Sequence, residues 1–347
     1  MIVLGIETSC DETSVAVVRD GREVLSSEVH SQIAQHEAWG GVVPEIAARS
    51  HAERLPGLLH RAVENAGVAW QELDAVAVTR GPGLATSLLV GFSAARALAF
   101  RLARPLYLLN HLEGHLYSLF LDPAAPPPDE ACPLLVLTVS GGHTCLVTLR
   151  ADGRHRLLGQ TIDDAAGEAL DKAAVLLDLG YPGGPAIERA ARGGNPKAVE
   201  FPRGRVTSSP AGLENLDADL CFSFSGLKTS LRYHLRDEPV APGDDQRRRD
   251  LAASFQVAVM DALVSRVERA LQNGSHRGVA CVGGVARNGL LRERMGRAAA
   301  RAGVPLHLAP PDFCTDNAAM VAGLAGARPW PDERGNPAAD IAPSLHL

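Results

Sequence analysis

The chain has 347 residues, 46% of them hydrophobic and 21% charged, with a net charge of −6. At about 150 residues per domain that length points to two domains or lobes, able to bury a core without disulfides or structural metals. The composition excludes a disordered chain, a coiled coil and a collagen-like fibre, and the acidic total leaves no basic footprint for non-specific nucleic-acid binding.

Strands and helices alternate along the whole chain, which predicts an α/β fold. Residues 2–7 read as an apolar strand, 8–14 as a polar turn and 15–18 as a returning strand. This N-terminus lacks a basic flank and meets Glu7 too early for a signal peptide, so the expected location is the cytoplasm. Residues 45–66 form a helix that Pro56 breaks or kinks and Gly67 stops. A buried strand over 73–79 runs into the turn Arg80-Gly81-Pro82-Gly83, and a long apolar helix covers 86–102. After a strand at 106–109, Asn110 is a good N-cap for a short helix over 111–120.

The proline-rich stretch 122–130 is the most linker-like part of the chain. It separates a first lobe (1–121) from a second lobe with helical insertions (131–316), and residues 317–347 form a closing helix and tail that return to the first lobe. Residues 131–149 carry no Asp, Glu, Lys or Arg. Ser140-Gly141-Gly142-His143-Thr144 at their centre makes them two strands and a turn, not a membrane-spanning helix. This hairpin repeats the design of residues 2–18 and suggests a duplicated fold. A helix over 167–179, the turn Tyr181-Pro182-Gly183-Gly184-Pro185 and a helix over 186–191 follow. Residues 193–222 read as loop, 251–272 as an amphipathic helix, and 278–282 as a strand entering Gly283-Gly284-Val285-Ala286-Arg287-Asn288.

Several of these segments can carry chemistry. His111 and His115 stand at i and i+4 of one helix face, the spacing that offers two imidazoles to one metal. Two surface histidines are the plainer alternative. The order is not His-Glu-x-x-His, so the zinc-peptidase arrangement is absent. Asp316 is the best third ligand, with an N-cap carboxylate as its other reading. Glycines 141 and 142 allow backbone N–H groups to converge on an anion, and Gly283-Gly284 can admit an adenosine or a phosphate. A hairpin turn and a tight βα turn are the respective alternatives. Asp171 can set a carboxylate against a ribose or simply solvate a helix face. Glu7, Asp11 and Glu12 gather three carboxylates directly after a buried strand. Neither the dinucleotide fingerprint nor the P-loop occurs. The six cysteines are scattered without a Cys-x-x-Cys pair and read as reduced thiols. Apart from Lys172, Lys197 and Lys228 the basic residues are all arginine, so an RNA partner would need a local Arg-rich surface.

Taken in order, Glu7–Thr13, Gly41-Val42-Val43-Pro44-Glu45, Gly81-Pro82-Gly83, Asn110–His115, Val139–Thr144, Tyr181–Pro185, Phe222-Ser223-Phe224-Ser225-Gly226-Leu227-Lys228-Thr229 and Gly283–Asn288 resemble one family. It is the TsaD family (formerly Gcp, "glycoprotease") of tRNA N6-adenosine threonylcarbamoyltransferases, and the likeness runs from Met1 to about Arg328. The resemblance implies a duplicated two-lobe actin/Hsp70/sugar-kinase-like fold with a nucleotide cleft between the lobes. It implies transfer of a threonylcarbamoyl group from threonylcarbamoyl-AMP to N6 of adenosine 37 in tRNA, with TsaB and TsaE as partner proteins and no membrane. It also implies His111, His115 and Asp316 as ligands of one divalent metal, iron(II) first and zinc second. Val139, Ser140, Gly141, Gly142 and His143 match the substrate phosphate loop, and Asp171, Gly184, Glu188 and Asn288 the adenosine and ribose positions. Asp11, with Glu12 beside it, is the candidate to orient the attacking amine or accept its proton. In the duplicated fold that turn is expected to face Ser140–His143 across the cleft. Residues 211–221 read as longer than the family's usual connection, which puts the local loop path in question. The rival readings are a metallopeptidase, a sugar kinase or Hsp70-like ATPase, and a non-enzymatic nucleotide-binding scaffold.

Overall fold

A computed structural model describes residues 1–204, 206 and 215–347, so part of the long connection at 211–221 lies outside the described residues. The first half carries β1 (Ile2–Glu7), β2 (Glu12–Arg19), β3 (Glu23–Ser31), α1 (Pro44–Ala66), β4 (Ala75–Gly81), α2 (Ala85–Leu102), β5 (Leu106–Asn110) and α3 (His111–Tyr117). Next come β6 (Leu134–Val139), β7 (Thr144–Leu149), β8 (His155–Gln160), α4 (Ala166–Leu176), α5 (Gly183–Ala191), α6 (Ser225–Asp237) and α7 (Asp245–Asn273). The chain closes with β9 (Gly278–Val282), α8 (Gly289–Ala302), β10 (Leu306–Leu308) and α9 (Ala318–Ala327). It divides into two units, Met1–Pro127 with Ala309–Leu347, and Pro128–Leu308. Residues 309–316, expected with the second lobe, cluster with the first unit instead.

The first unit is built on a sheet of order β3-β2-β1-β4-β5. β1 pairs antiparallel with β2 and parallel with β4, so Ile6 lies opposite both Val15 and Val78. Alternate residues serve two cores, as the period of a strand requires. Val3, Ala16, Val18, Ala75 and Ala77 pack on α9, while Leu4, Ile6, Val15, Val17, Val76 and Val78 pack on α1 and α2. At Gly5 a Cβ would meet the Ala318 carbonyl oxygen at 2.5 Å, and glycine is what lets α9 lie this close to β1.

Helix α1 does not break at Pro56. Pro56 faces solvent while Leu55 and Leu58 are buried against the sheet, and that packing offsets the roughly 3 kcal/mol an interior proline costs. Gly67, at φ 66°, closes the helix by donating its N–H to Glu64. Helix α2 is, among the described residues, the one helix long and apolar enough to cross a membrane by length and composition. Its Ser87-Leu88-Gly91-Phe92-Ala95-Ala99 stripe is buried in the unit's own core. Helix α3 stops at Tyr117, short of the expected 120, and the buried residues Ser118–Leu121 continue it as a tighter turn.

The second unit repeats the arrangement, with a sheet of order β10-β9-β6-β7-β8. β6 pairs antiparallel with β7 and parallel with β9, as β1 does with β2 and β4. All six residues of β6 are buried, as expected of a central strand covered on both faces. Helix α5 begins at Gly183, earlier than the expected 186, because Pro182 caps it and Pro185 fits its first turn. Helix α7 likewise starts early, with the Asp244 carboxylate accepting the Arg247 N–H at 3.0 Å.

Candidate active site

In the first unit the C-terminal ends of the parallel strands β1 and β4 open into Glu7–Asp11 and Gly81–Gly83, and β5 runs directly into α3. Asn110 caps α3 by accepting the Leu112 N–H at 2.8 Å. That cap fixes the start of α3, and the helical period then stacks His111 and His115 on one face, their rings 4.6 Å apart at 88°. Asp316 arrives from the other end of the sequence, just before Asn317 caps α9.

One ligand-type atom from each of His111, His115 and Asp316 lies within 4.8 Å of the others. An Asp316 carboxylate oxygen is 3.0 Å from His115 Nε2 and 3.5 Å from His111 Nε2. Metal–nitrogen and metal–oxygen bonds of about 2.0–2.2 Å at tetrahedral or octahedral angles hold neighbouring donors about 3.0–3.5 Å apart. The spacing therefore fits a single cation. His115 Nδ1 is buried without a hydrogen-bond partner among the described residues.

Behind His111 stands Glu7, a fully buried carboxylate at the end of a buried strand. Its Oε2 lies 3.1 Å from His111 Nδ1 and accepts the Thr79 hydroxyl at 2.6 Å, while Oε1 accepts the Ser9 N–H at 2.6 Å. The Ser9 hydroxyl also approaches His111 Nδ1, at 3.2 Å. A carboxylate on Nδ1 fixes the tautomer and leaves Nε2 to coordinate. Glu7 was legible in the sequence only as one of three acids; the sharper signal is a carboxylate ending an otherwise apolar strand, which cannot be buried without partners.

The charges are interlocked. Burial opposes ionisation of Asp316 and Glu7, but the His111 charge and its hydrogen bonds outweigh burial and hold both carboxyls low, Asp316 well below the usual range. Burial likewise disfavours charge on His111, yet Asp316 and Glu7 raise it well above an ordinary imidazole. A metal ion at this point would replace that extra proton, since ligating imidazoles are neutral.

Asp11 and Glu12 sit half-buried where the same turn enters β2. Burial, then the charges of Asp11 and Asp316, push the Glu12 carboxyl well above its ordinary value. Burial and the neighbouring acids also push the Cys10 thiol well up, so it offers no thiolate nucleophile.

In the second unit two loops leave the C-terminal edge of the parallel pair β6–β9: Ser140–His143 and Gly283–Asn288. The Ser140 hydroxyl accepts the His143 N–H at 3.1 Å, and the Ser140 N–H donates to the His143 carbonyl at 2.8 Å. At Gly141 and Gly142 an added Cβ would meet nothing within 4 Å. Neither has the left-handed backbone that favours glycine. Protein packing therefore leaves open the space above both residues. Gly283 is different: at φ +93° it packs on the Val139 carbonyl, holding the two loops side by side. Asp171 accepts the Gly183 N–H at 2.7 Å, and Glu188 accepts the Gly289 N–H at 2.9 Å. Asn288 caps α8 by accepting the Leu291 N–H at 3.1 Å. Gly184, at the head of α5, is open like Gly141. Asp171, Gly184, Glu188 and Asn288 are thus linked through the starts of α5 and α8, and each acid also has a structural duty.

The family model for TsaD, tRNA N6-adenosine threonylcarbamoyltransferase, matches residues 23–323. A Symbiobacterium thermophilum protein of that name is 52% identical over 330 residues, covering 95% of this chain and 92% of the relative. The chain belongs to this family. An Anaeromyxobacter dehalogenans member is 49% identical over 343 residues, covering 97% of this chain and 98% of its own. Among solved structures, HypF of T. kodakarensis superposes with a TM-score of 0.58 at 16% identity, over 94% of this chain and 47% of that one. The activator of 2-hydroxyisocaproyl-CoA dehydratase from Clostridium difficile, solved with bound ADPNP, gives 0.50 at 16% identity, over 94% of each chain. At such identities the likeness concerns the fold alone, which is the duplicated actin/Hsp70/sugar-kinase type.

Proposed function

We propose that the chain transfers the threonylcarbamoyl group of threonylcarbamoyl-AMP to N6 of adenosine 37, forming t6A in tRNAs that read codons beginning with A. The observation that carries this reading is 52% identity over 95% of the chain to a relative named for that transfer. The exocyclic amine of adenine is a weak nucleophile because its lone pair is delocalised into the ring, so the electrophile must be activated. His111, His115 and Asp316 would hold one divalent cation, iron(II) by family analogy with zinc as the alternative for a two-nitrogen, one-oxygen set. When bound, the metal supplies Lewis acidity and a template for the threonylcarbamoyl group.

The remaining roles belong to the chain's own residues. Glu7 orients His111 and keeps its Nε2 turned toward Asp316. Within the loop Val139, Ser140, Gly141, Gly142 and His143, whose Ser140 and His143 N–H groups close the turn, Gly141 and Gly142 turn their open faces to the AMP phosphate and admit it to the backbone. Asp171, Gly184, Glu188 and Asn288 receive the adenosine and ribose. Asp11, with Glu12 as the second member of a carboxyl pair, takes the proton of the attacking amine. The new N–C bond forms as the carbamoyl–phosphate bond breaks, and AMP leaves with the bonding electrons. The same reading brings TsaB and TsaE as partners and a cytoplasmic location.

The peptidase reading fares worse on the geometry. Glu113, the one acid between the two histidines, is paired with Arg328. A kinase or ATPase would have no use for the His-His-Asp set. Purified chain with TsaB, TsaE, threonylcarbamoyl-AMP and unmodified tRNA should give t6A on digestion to nucleosides. Peptide cleavage or free ATP turnover in place of t6A would favour the rivals.

A further inference from the structure

The segment Gly41–Glu45 has no part in the chemistry above, yet it ends a chain of hydrogen bonds that reaches the acidic turn. Val43 caps α1, and its N–H donates to His36 Nδ1 at 3.3 Å. The proton of His36 must then sit on Nε2, which lies 3.2 Å from Gln32 Oε1. That acceptance orients the Gln32 amide, whose Nε2 donates to His51 Nδ1 at 3.3 Å and to the Ala47 carbonyl at 3.4 Å. His51 Nδ1 is thus an acceptor, and it also takes the Thr13 hydroxyl proton at 2.7 Å. The proton of His51 is left on Nε2, which donates to the Cys10 carbonyl at 2.9 Å. Thr13, Gln32, His36 and His51 are all buried. The Gln32 N–H closes the arrangement by donating to the Asp11 carbonyl at 3.0 Å. Burial holds His51 below an ordinary imidazole despite the Cys10 carbonyl, in keeping with a neutral ring.

The direction of the chain from His36 to His51 is set at one end, because Val43 N–H can donate but cannot accept. Both carbonyls flanking the start of the Asp11 side chain's residue, Cys10 and Asp11, are held by it. A Cys10–Asp11 peptide so fixed aims the Asp11 side chain. We propose that His51 is a positioning residue for the transfer: its Nε2–H holds the Cys10 carbonyl, and through it Asp11, with Gln32 and His36 fixing the tautomer that makes this possible. The proposal rests on the reading in which Asp11 takes the amine's proton.

The amide nitrogen of glutamine can occupy the place of imidazole Nε2, whereas asparagine is too short to reach it. Single-turnover transfer should therefore fall about tenfold to a hundredfold in His51→Asn, the scale of loss from an ångström-sized misplacement. Metal content and threonylcarbamoyl-AMP affinity should stay at parent values, and His51→Gln should recover most of the rate. In an Asp11→Asn background His51→Asn should add little further loss, because the two act as one unit. A parent-like rate in His51→Asn, equal losses in both His51 variants, or fully additive losses with Asp11→Asn would overturn the proposal. Normal transfer by Asp11→Asn alone would overturn the Asp11 reading and the functional half of this proposal with it. The relay is judged separately on the unsubstituted protein: imidazole nitrogen NMR at neutral pH should find His51 neutral with its proton on Nε2, and a proton on Nδ1 would refute it.

Discussion

Glu7 Oε2 lies 3.1 Å from His111 Nδ1, in a setting where both side chains are buried and the carboxylate has three further anchors in Thr79, Ser9 and the strand it ends. The pair makes His111 a pre-oriented ligand, not a histidine that must be turned inward on binding. Replacing Glu7 by Gln keeps the shape and removes the charge. Metal affinity should drop about tenfold to a hundredfold, the usual cost of losing such a partner. His111→Ala and Asp316→Ala should lose the metal altogether while circular dichroism stays that of the parent. Chelator competition on the purified variants checks all three, and full metal retention by His111→Ala would remove the assignment.

Gly142 tests the phosphate loop. A Cβ added there meets no protein atom within 4 Å, so thermal stability should hardly change in Gly142→Val. Nucleotide affinity should fall tenfold or more, about 1.4 kcal/mol, because the branched side chain would fill the space a phosphate needs. Thermal unfolding of Gly142→Val reads the first quantity and calorimetric titration with AMP the second; unchanged affinity would make the loop an ordinary hairpin.

Asp164 carries a pH signature. It accepts from Lys172 at 3.0 Å and Lys228 at 2.9 Å, tying the Phe222–Thr229 segment to the start of α4. Burial pushes this carboxyl up, but Lys228 and Lys172 outweigh it and hold it below the ordinary value. A lowered carboxyl contributes stability above its unfolded value of about 3.9 and loses it as pH falls through the folded value. The lysines are about a third exposed, so screening limits the pair to about 1 kcal/mol. Asp164→Asn should therefore unfold at lower urea than the parent at pH 7. The gap should close below about pH 4. A gap independent of pH would mean the lysines contribute nothing through charge.

The central strands were plain in the sequence because burial on both faces leaves a run of apolar residues bounded by polar turns. β1, β6 and β9 take the bounds their hydrophobicity predicts. The outer strands β3, β8 and β10 were missed, since none is buried along its length and each mixes polar residues with apolar ones. Helix α6 was hidden in the same way: only Leu227 and Leu231 of its thirteen residues are buried. Within the site, the i, i+4 spacing of His111 and His115 is local and so was readable, whereas Asp316 was a candidate with an N-cap alternative until the family resemblance implied it as the third ligand. Glu7 against His111 spans 104 residues, and Cys10 against His51 spans 41. No periodicity records such pairs; the strand order β3-β2-β1-β4-β5 creates them.

The central claim is that the group arrives on one nitrogen of one adenosine. Threonylcarbamoyl-AMP labelled in its threonyl carbon, mixed with the chain, TsaB, TsaE and a single unmodified tRNA, tests it in one turnover. The label should appear in tRNA at position 37, fail to appear when that adenosine is replaced by guanosine, and slow by about 10²–10⁴-fold with Asp11→Asn. Label that never reaches the tRNA, or that arrives regardless of the base at position 37, would contradict the account.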